Sequence, residues 1–297
     1  MALRLEQFAL NPLQYMATSD GWLDPTLGPS WDVRLSDIRD AGFTAVQTEV
    51  PEEMTPTEYA QALDRYGLRP GPGYIDLMWD EDPDARAEHE ATARQTTRDN
   101  LEAGEPLLFL SLGMERDAPR IARPAVGHQA DPDRLARISD YVGSVAAAVA
   151  AEGGVAALHP HIGSWVETEA EARYVLDRND PKTLRFGPDA GHLAWSGADP
   201  RRLILEYGDR VAGVHIKDFD AELARRSRDE GLGYRETVQA GLWTEPGKGD
   251  AAIDDVLDAL PVDFDGWVVV EVDRGSVPPS ESVRDSGAWL QAHLARV

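Results

Sequence analysis

VAALHPHIGSWVETEAEARYVLDRNDPKTLRFGPDAGH, residues 155–192, reads as one strand–helix–strand unit with metal-ligand chemistry at the end of each strand. Val155 to Leu158 and Thr183 to Phe186 are short apolar runs of strand type. Between them, Thr168 and Glu171 have the spacing of a capping box, which predicts a helix reaching about Arg178. His159-Pro160-His161 follows the first run, and Asp189-Ala190-Gly191-His192 follows the second. The arrangement recurs twice downstream. Val211 to Val214 leads into His215-Ile216-Lys217-Asp218, and Trp267 to Val270 leads into Glu271. Ligand-type residues at the ends of successive strands are what a barrel with its site at the strand C-termini produces.

The first half alternates in the same way. Strands are expected at Leu3 to Leu10, Ala45 to Val50, Arg69 to Tyr74 and Pro106 to Leu112. Amphipathic helices are expected at Trp31 to Ala41, Pro56 to Tyr66, Asp84 to Ala103 and Asp131 to Glu152. Asp131-Pro132 opens the last of these and Gly153-Gly154 stops it. Later helices open at Asp199-Pro200, Asp250 and Ser280. Eight strands about 30 residues apart indicate parallel βαβ units. The expected architecture is a single closed (β/α)8 barrel over residues 1–297. A doubly wound open sheet is the alternative, but Asn11-Pro12-Leu13-Gln14 stands where a Gly-rich phosphate loop would follow the first strand. One long polar insert, residues 218–249, carries Trp243. It would lie over the site as a lid, or serve as a contact in a homo-oligomer.

Composition narrows the function. The chain has 297 residues, 42% of them apolar, which is enough for a sizeable core. No run approaches the roughly 20 apolar residues that cross a bilayer, and no signal peptide is evident at the N-terminus, so a cytoplasmic location without membrane partners is expected. There is no cysteine, which removes disulfides, thiolate nucleophiles and cysteine-bound zinc. The formal net charge of −24 repels nucleic acid phosphates. The densest basic run, Arg225-Arg226-Ser227-Arg228, is flanked by Glu222, Asp229 and Glu230.

Asp189, His215 and Glu271 are metal-ligand candidates on consecutive strands, and His159 follows the strand before them. Mixed imidazole and carboxylate donors suit Mn, Co, Zn or Fe better than Mg. Lys217, two residues past His215, points the same way on a strand and brings an ammonium or a general base to the ion. His161 joins Glu271 and Lys217 as a proton-transfer candidate. His192 is placed to bond substrate hydroxyls, and Glu49, ending the second strand, can reach the same space. Trp195, Trp165 and Trp243 can wall a sugar pocket, since aromatic faces pack on C–H faces of sugars, or can pack the core. Glu115 and Arg116 are further candidates for substrate contact. Each residue also has a plainer reading. Lys217 can pair with Asp218 or Asp220 on the surface, Glu271 with Arg274, and Asp189 can be an ordinary turn residue. Those readings require four coincidences on consecutive strands, where one site requires none.

His159-Pro160-His161-Ile162-Gly163-Ser164 with Glu167, Phe186-Gly187-Pro188-Asp189-Ala190-Gly191-His192, Val214-His215-Ile216-Lys217-Asp218, Gly247-Lys248-Gly249-Asp250 and Gly266 to Glu271 together resemble the xylose-isomerase-like TIM-barrel superfamily of sugar phosphate isomerases and epimerases. Within it the chain is most similar to the inosose dehydratases, a likeness that Asn11-Pro12 shares. The resemblance implies one divalent ion, often Mn or Co, held at strands five to eight. Asp189, His215 and Glu271 match three of the family's four ligands. The fourth is usually a Glu closing strand five, and here His159 stands in that slot, with Glu167 as an alternative source of the carboxylate. Two-base epimerisation uses that missing Glu, whereas elimination needs one base.

The expected function is therefore a metal-dependent enzyme acting on a sugar- or polyol-derived small molecule. It would abstract a proton next to a carbonyl held by the metal, with dehydration first and isomerisation or epimerisation second. An endonuclease-IV-like phosphodiesterase needs further histidines on early strands, and residues 1–88 contain none. A non-catalytic binding or complex subunit on the same scaffold is the reading from another class.

Overall fold

The parity of each strand settles which residues meet inside the barrel. In a computed structural model, which describes residues 3–296, the strands are β1 (Phe8–Asn11), β2 (Ala45–Val46), β3 (Arg69–Pro70), β4 (Gly73–Leu77), β5 (Leu107–Leu112), β6 (Val155–Leu158), β7 (Leu184–Phe186), β8 (Gly213–Ile216), β9 (Asp218–Phe219), β10 (Trp243–Thr244) and β11 (Trp267–Glu271). The helices are α1 (Trp31–Asp40), α2 (Pro56–Asp64), α3 (Pro83–Ala103), α4 (Pro119–Ala122), α5 (Pro132–Glu152), α6 (Glu169–Arg178), α7 (Ala190–Trp195), α8 (Pro200–Glu206), α9 (Ala221–Glu230), α10 (Tyr234–Gln239), α11 (Ile253–Asp258) and α12 (Pro279–Leu294).

Two parallel sheets, in the orders β3-β2-β1-β11-β8 and β4-β5-β6-β7, form the wall. At one seam β3 and β4 are successive pieces of the same stretch of chain. At the other, parallel bridges join Phe186 to Val211 and Asp189 to His215. Ala9, Ala45, Leu107, Phe109, Ala157, Trp267 and Val269 pack inside. Phe8, Leu10, Val46, Val268 and Val270 belong to the larger core shared with the helices. Side chains alternate along a strand, so the inward row continues from Ala9 to Asn11, Ala157 to His159, and Val269 to Glu271. Phe109 is the floor on which the upper layer rests. Its ring lies 4.3 Å from that of His215 and 5.3 Å from that of His159. Gly187 and Gly213 make room for it: a Cβ at either would come within 2.6 and 2.8 Å of the Phe109 ring.

The expected caps form. Thr168 and Glu171 close a reciprocal capping box on α6, and Asp131 accepts from the first amides of α5. Several expectations are corrected: the strand expected at Arg69 to Tyr74 is split into β3 and β4, and the last helix is capped by Pro278 rather than opened by Ser280. Leu3 to Leu10 is not one strand, because Leu5–Gln7 forms a 3-10 turn before β1. Past Val46 the second strand stops pairing as strand. Asp250 does not cap α11; Ala252 takes that place, and the Asp250 carboxylate accepts from the Ala221 amide instead. The insert carries its own structure. It holds the antiparallel pair β9–β10, helices α9 and α10, and a second apolar cluster in which Phe219, Leu223, Tyr234, Val238, Leu242 and Trp243 pack with Trp22, Ile162 and Trp195. Arg235 Nε donates to Asp20 Oδ2 at 2.8 Å, tying α10 to the loop after β1. Among the described residues, no helix is long and apolar enough to cross a membrane.

Candidate active site

His159, Asp189 and His215 each present a donor atom, all within 4.8 Å of one another, above the Phe109 floor. They come from three neighbouring strand ends, brought level by the inward parity and by the Asp189–His215 bridge. All three are buried. His159 Nδ1 lies 2.9 Å from the Gly187 carbonyl, which makes it the donor and leaves Nε2 as the free ligand atom. Glu271 adjoins this group: its Oε2 is 2.9 Å from His215 Nδ1, out of line for an N–H···O bond, and accepts from Asn11 Nδ2 at 2.6 Å.

Lys217 is the central cation. Its Nζ stands 2.5 Å from Glu271 Oε1, 2.7 Å from Asp273 Oδ1, 3.3 Å from Asp189 Oδ2 and 3.0 Å from His192 Nε2. Burial alone would pull this ammonium down, but Asp189, Asp273 and Glu271 together push it well above its usual range. It is therefore an ammonium here and not a free base, and the surface pairing with Asp218 or Asp220 does not occur. Burial also opposes ionisation of Glu271, yet Lys217 and His215 hold that carboxyl well below the usual range. Burial pushes the His159 and His192 imidazoles down, and His161 down to about 3. Neutral imidazoles are the form that binds metal.

These residues fit a divalent ion. Both ring nitrogens of His215 and Asp189 Oδ2 are buried without an aligned hydrogen bond, although buried polar atoms are almost always satisfied. Three buried carboxyl groups, Asp189, Glu271 and Asp273, also surround the one ammonium, and burial, with the neighbouring Glu271 carboxylate, pushes the Asp189 carboxyl up and the Asp273 carboxyl well above its usual range, as in a site short of positive charge. Mixed nitrogen and oxygen donors suit a first-row transition ion.

A cavity of about 730 Å3 opens onto this floor, lined in part by Asn11, Gln47, Glu49, Asp76, Arg116, His159, His161 and Glu271. Its size suits a small sugar-like molecule. Glu49 stands exposed at its rim, and His161 faces it with Nδ1 engaged by the Ile162 carbonyl at 2.8 Å. His192 lies behind His161, ring centroids 3.7 Å apart. Trp195, expected to wall the substrate, does not: α7 turns it into the insert's apolar cluster, where it is wholly buried. Trp165 sits under the Arg134 and Arg120 guanidiniums. Glu167 is not a ligand. Its carboxylate accepts from the Gly163, Ala125 and Gly127 amides and so locks the two loops that flank His161. Asp273 was not singled out from sequence. Its signal was the same i, i+2 parity that aligns His215 with Lys217, continued past Glu271.

The chain is similar to several known proteins. The rhizopine catabolism protein MocC of Rhizobium meliloti is 28% identical over 278 residues, covering 90% of this chain and 82% of that one. An inosose dehydratase of Geobacillus thermodenitrificans (strain NG80-2) is 34% identical over 128 residues, 42% of this chain and 43% of that protein, so the match spans less than half of that relative. Among solved structures, the IOLI protein with a bound zinc atom shares the fold, with a TM-score of 0.71 at 13% identity over 98% of both chains. The model of the xylose isomerase-like TIM barrel family matches residues 35–293, and the chain belongs to that family.

Proposed function

We propose that the protein is a divalent-metal-dependent dehydratase acting on an uncharged, polyhydroxylated carbonyl compound of keto-inositol type. The observation that carries this reading is Glu271, pinned by Asn11 and Lys217 beside the His159–Asp189–His215 group at the floor of the cavity. His159, Asp189, His215 and Glu271 would hold the ion, which when bound polarises the substrate carbonyl and stabilises the negative charge that develops on it. Glu271 takes the proton from the neighbouring carbon. As the carboxylic acid it then delivers that proton to the departing hydroxyl, so that water leaves and the carboxylate is regenerated. Lys217 and Asn11 fix the two oxygens of that carboxylate, and Lys217 therefore acts as a positioning residue. His161 Nε2 is left to accept a hydrogen bond from a substrate hydroxyl.

The walls favour an uncharged ligand. Glu49, Asp76 and Asp99 line the cavity against one cation, Arg116, whose guanidinium lies over the Trp22 ring at 4.8 Å. A phosphate would meet carboxylates, whereas hydroxyls would find acceptors, including the buried and unpartnered Gln47 Oε1. The relatives named inosose dehydratases support the same class. Incubation with a keto-inositol and Mn in D2O should give a product lighter by one water, and Glu271→Gln should abolish it. An isomer of unchanged formula apart from exchanged deuterium would move the enzyme to the epimerase reading. Structural likeness to a 3-keto-D-glucoside 4-epimerase keeps that reading second.

A further inference from the structure

A second group of ligand-type side chains, His161, His192 and Asp273, lies beside the first, again with donor atoms all within 4.8 Å. His192 Nδ1 is buried without a partner. Two adjoining clusters of this kind are the framework of a dinuclear centre. Lys217 stands at their junction. Its Nζ contacts Asp189 and Glu271 on one side and His192 and Asp273 on the other, at 2.5 to 3.3 Å. That donor set, three carboxylates and an imidazole, is one that would otherwise hold a cation.

We propose that Lys217 is a built-in counter-cation that occupies the second cluster and holds the site to one divalent ion. Charge supports this. Asp189, Glu271 and Asp273 carry three negative charges when ionised, and Lys217 carries one positive. One divalent ion brings this buried group to neutrality, and a second would overload it. Without the ammonium the balance reverses: one ion leaves a net negative charge next to His161, His192 and Asp273, and a second ion is drawn in.

The proposal rests on the reading that the first cluster binds one divalent ion, and metal content separates the two. Protein equilibrated with excess Mn and then dialysed should carry one ion per chain by elemental analysis. Lys217→Ala should carry two, with the paramagnetic resonance signature of a coupled Mn pair. Adding His192→Ala to Lys217→Ala should return the count to one. A wild-type protein with two ions, or a folded Lys217→Ala with one, overturns the proposal and leaves the first site standing. A wild-type protein with none overturns both. If Lys217→Ala does not fold, Asp273→Asn decides. It removes one charge of the balance and should weaken the first ion by about 10- to 100-fold, as loss of an outer partner does. Unchanged affinity there overturns the counter-cation role.

Discussion

Lys217 Nζ lies within 3.3 Å of three carboxylates, and no part of the side chain reaches solvent. Removing one partner of such a group costs about 3–5 kcal/mol, because the remaining charges stay buried. Lys217→Met should therefore lower stability and also slow proton transfer by about 10²-fold, since Glu271 loses the ammonium that fixes Oε1 even as its carboxylate becomes more basic. The diagnostic readout is a primary deuterium isotope effect on kcat, which should rise as proton transfer becomes limiting. A variant that is less stable but has unchanged kcat and isotope effect would reduce Lys217 to a structural role. At this scale much of the candidate site was legible. His159, Asp189, His215, Lys217 and Glu271 could be read because each follows an apolar run at inward parity. Asp273 was passed over because it lies past the strand end, where parity is easily thought to lapse. Trp195 was left between pocket wall and core, because only the short helix α7, which has no strong sequence signal, turns it into the core.

The insert between β8 and α11 shows what charge hides at the scale of elements. Helix α9 reads as a solvated basic and acidic run, and of its ten residues only Leu223, Ala224 and Ser227 are buried. Nothing in such a stretch distinguishes a docked helix from a loose one until its partners, Trp22 and Ile162 among them, are known. By contrast α5 and α6 were legible almost to the residue, because their caps are local chemistry. Asp218 is the pin of the insert. Its carboxylate accepts from the backbone amides of Phe219, Gly247, Gly249 and Ala251, all at 2.8 to 3.0 Å. Hydrogen bonds to a charged group contribute about 1.5–3 kcal/mol each, so this one side chain decides whether the Gly247-Lys248-Gly249 turn stays closed. Asp218→Ala should speed amide exchange about tenfold or more at Gly247, Gly249 and Ala251, and open residues 218–251 to protease, while barrel amides in β5 and β6 keep their protection. Uniform acceleration across the barrel would mean that the insert is not a separate cooperative unit.

For the whole molecule, the alternating pattern specified the barrel because every unit repeats one instruction: an inward small or apolar row ending in a polar residue. What it did not specify is how the two sheets of the wall meet. The two sheets meet where Gly71-Pro72, a breaker pair inside the expected third strand, splits it into β3 and β4, and across the isolated bridges Phe186–Val211 and Asp189–His215, which have no sequence signal of their own. The consequence of that meeting is that Asp189, Glu271 and Asp273 are carried inward together, from strands distant in sequence, onto one ammonium. Folding therefore gathers more carboxyl groups than cations, and a divalent ion that binds only the folded barrel stabilises their ionised forms. Ligand linkage gives the size of the effect: at free ion about 100 times Kd, stability rises by about 2.7 kcal/mol. For a chain of this length each kcal/mol moves Tm by about 2 °C, so saturating Mn should raise Tm by about 5 °C over protein stripped with chelator. Asp189→Asn and His215→Ala should each abolish most of that increment, because each removes a ligand. Glu167→Gln should retain it, because Glu167 bonds backbone amides away from the group. Scanning calorimetry of the four proteins with and without Mn makes the comparison. If Mn shifts Glu167→Gln and His215→Ala equally, the ion is binding the acidic surface rather than the barrel floor, and the assignment of His159, Asp189, His215 and Glu271 as its ligands is wrong.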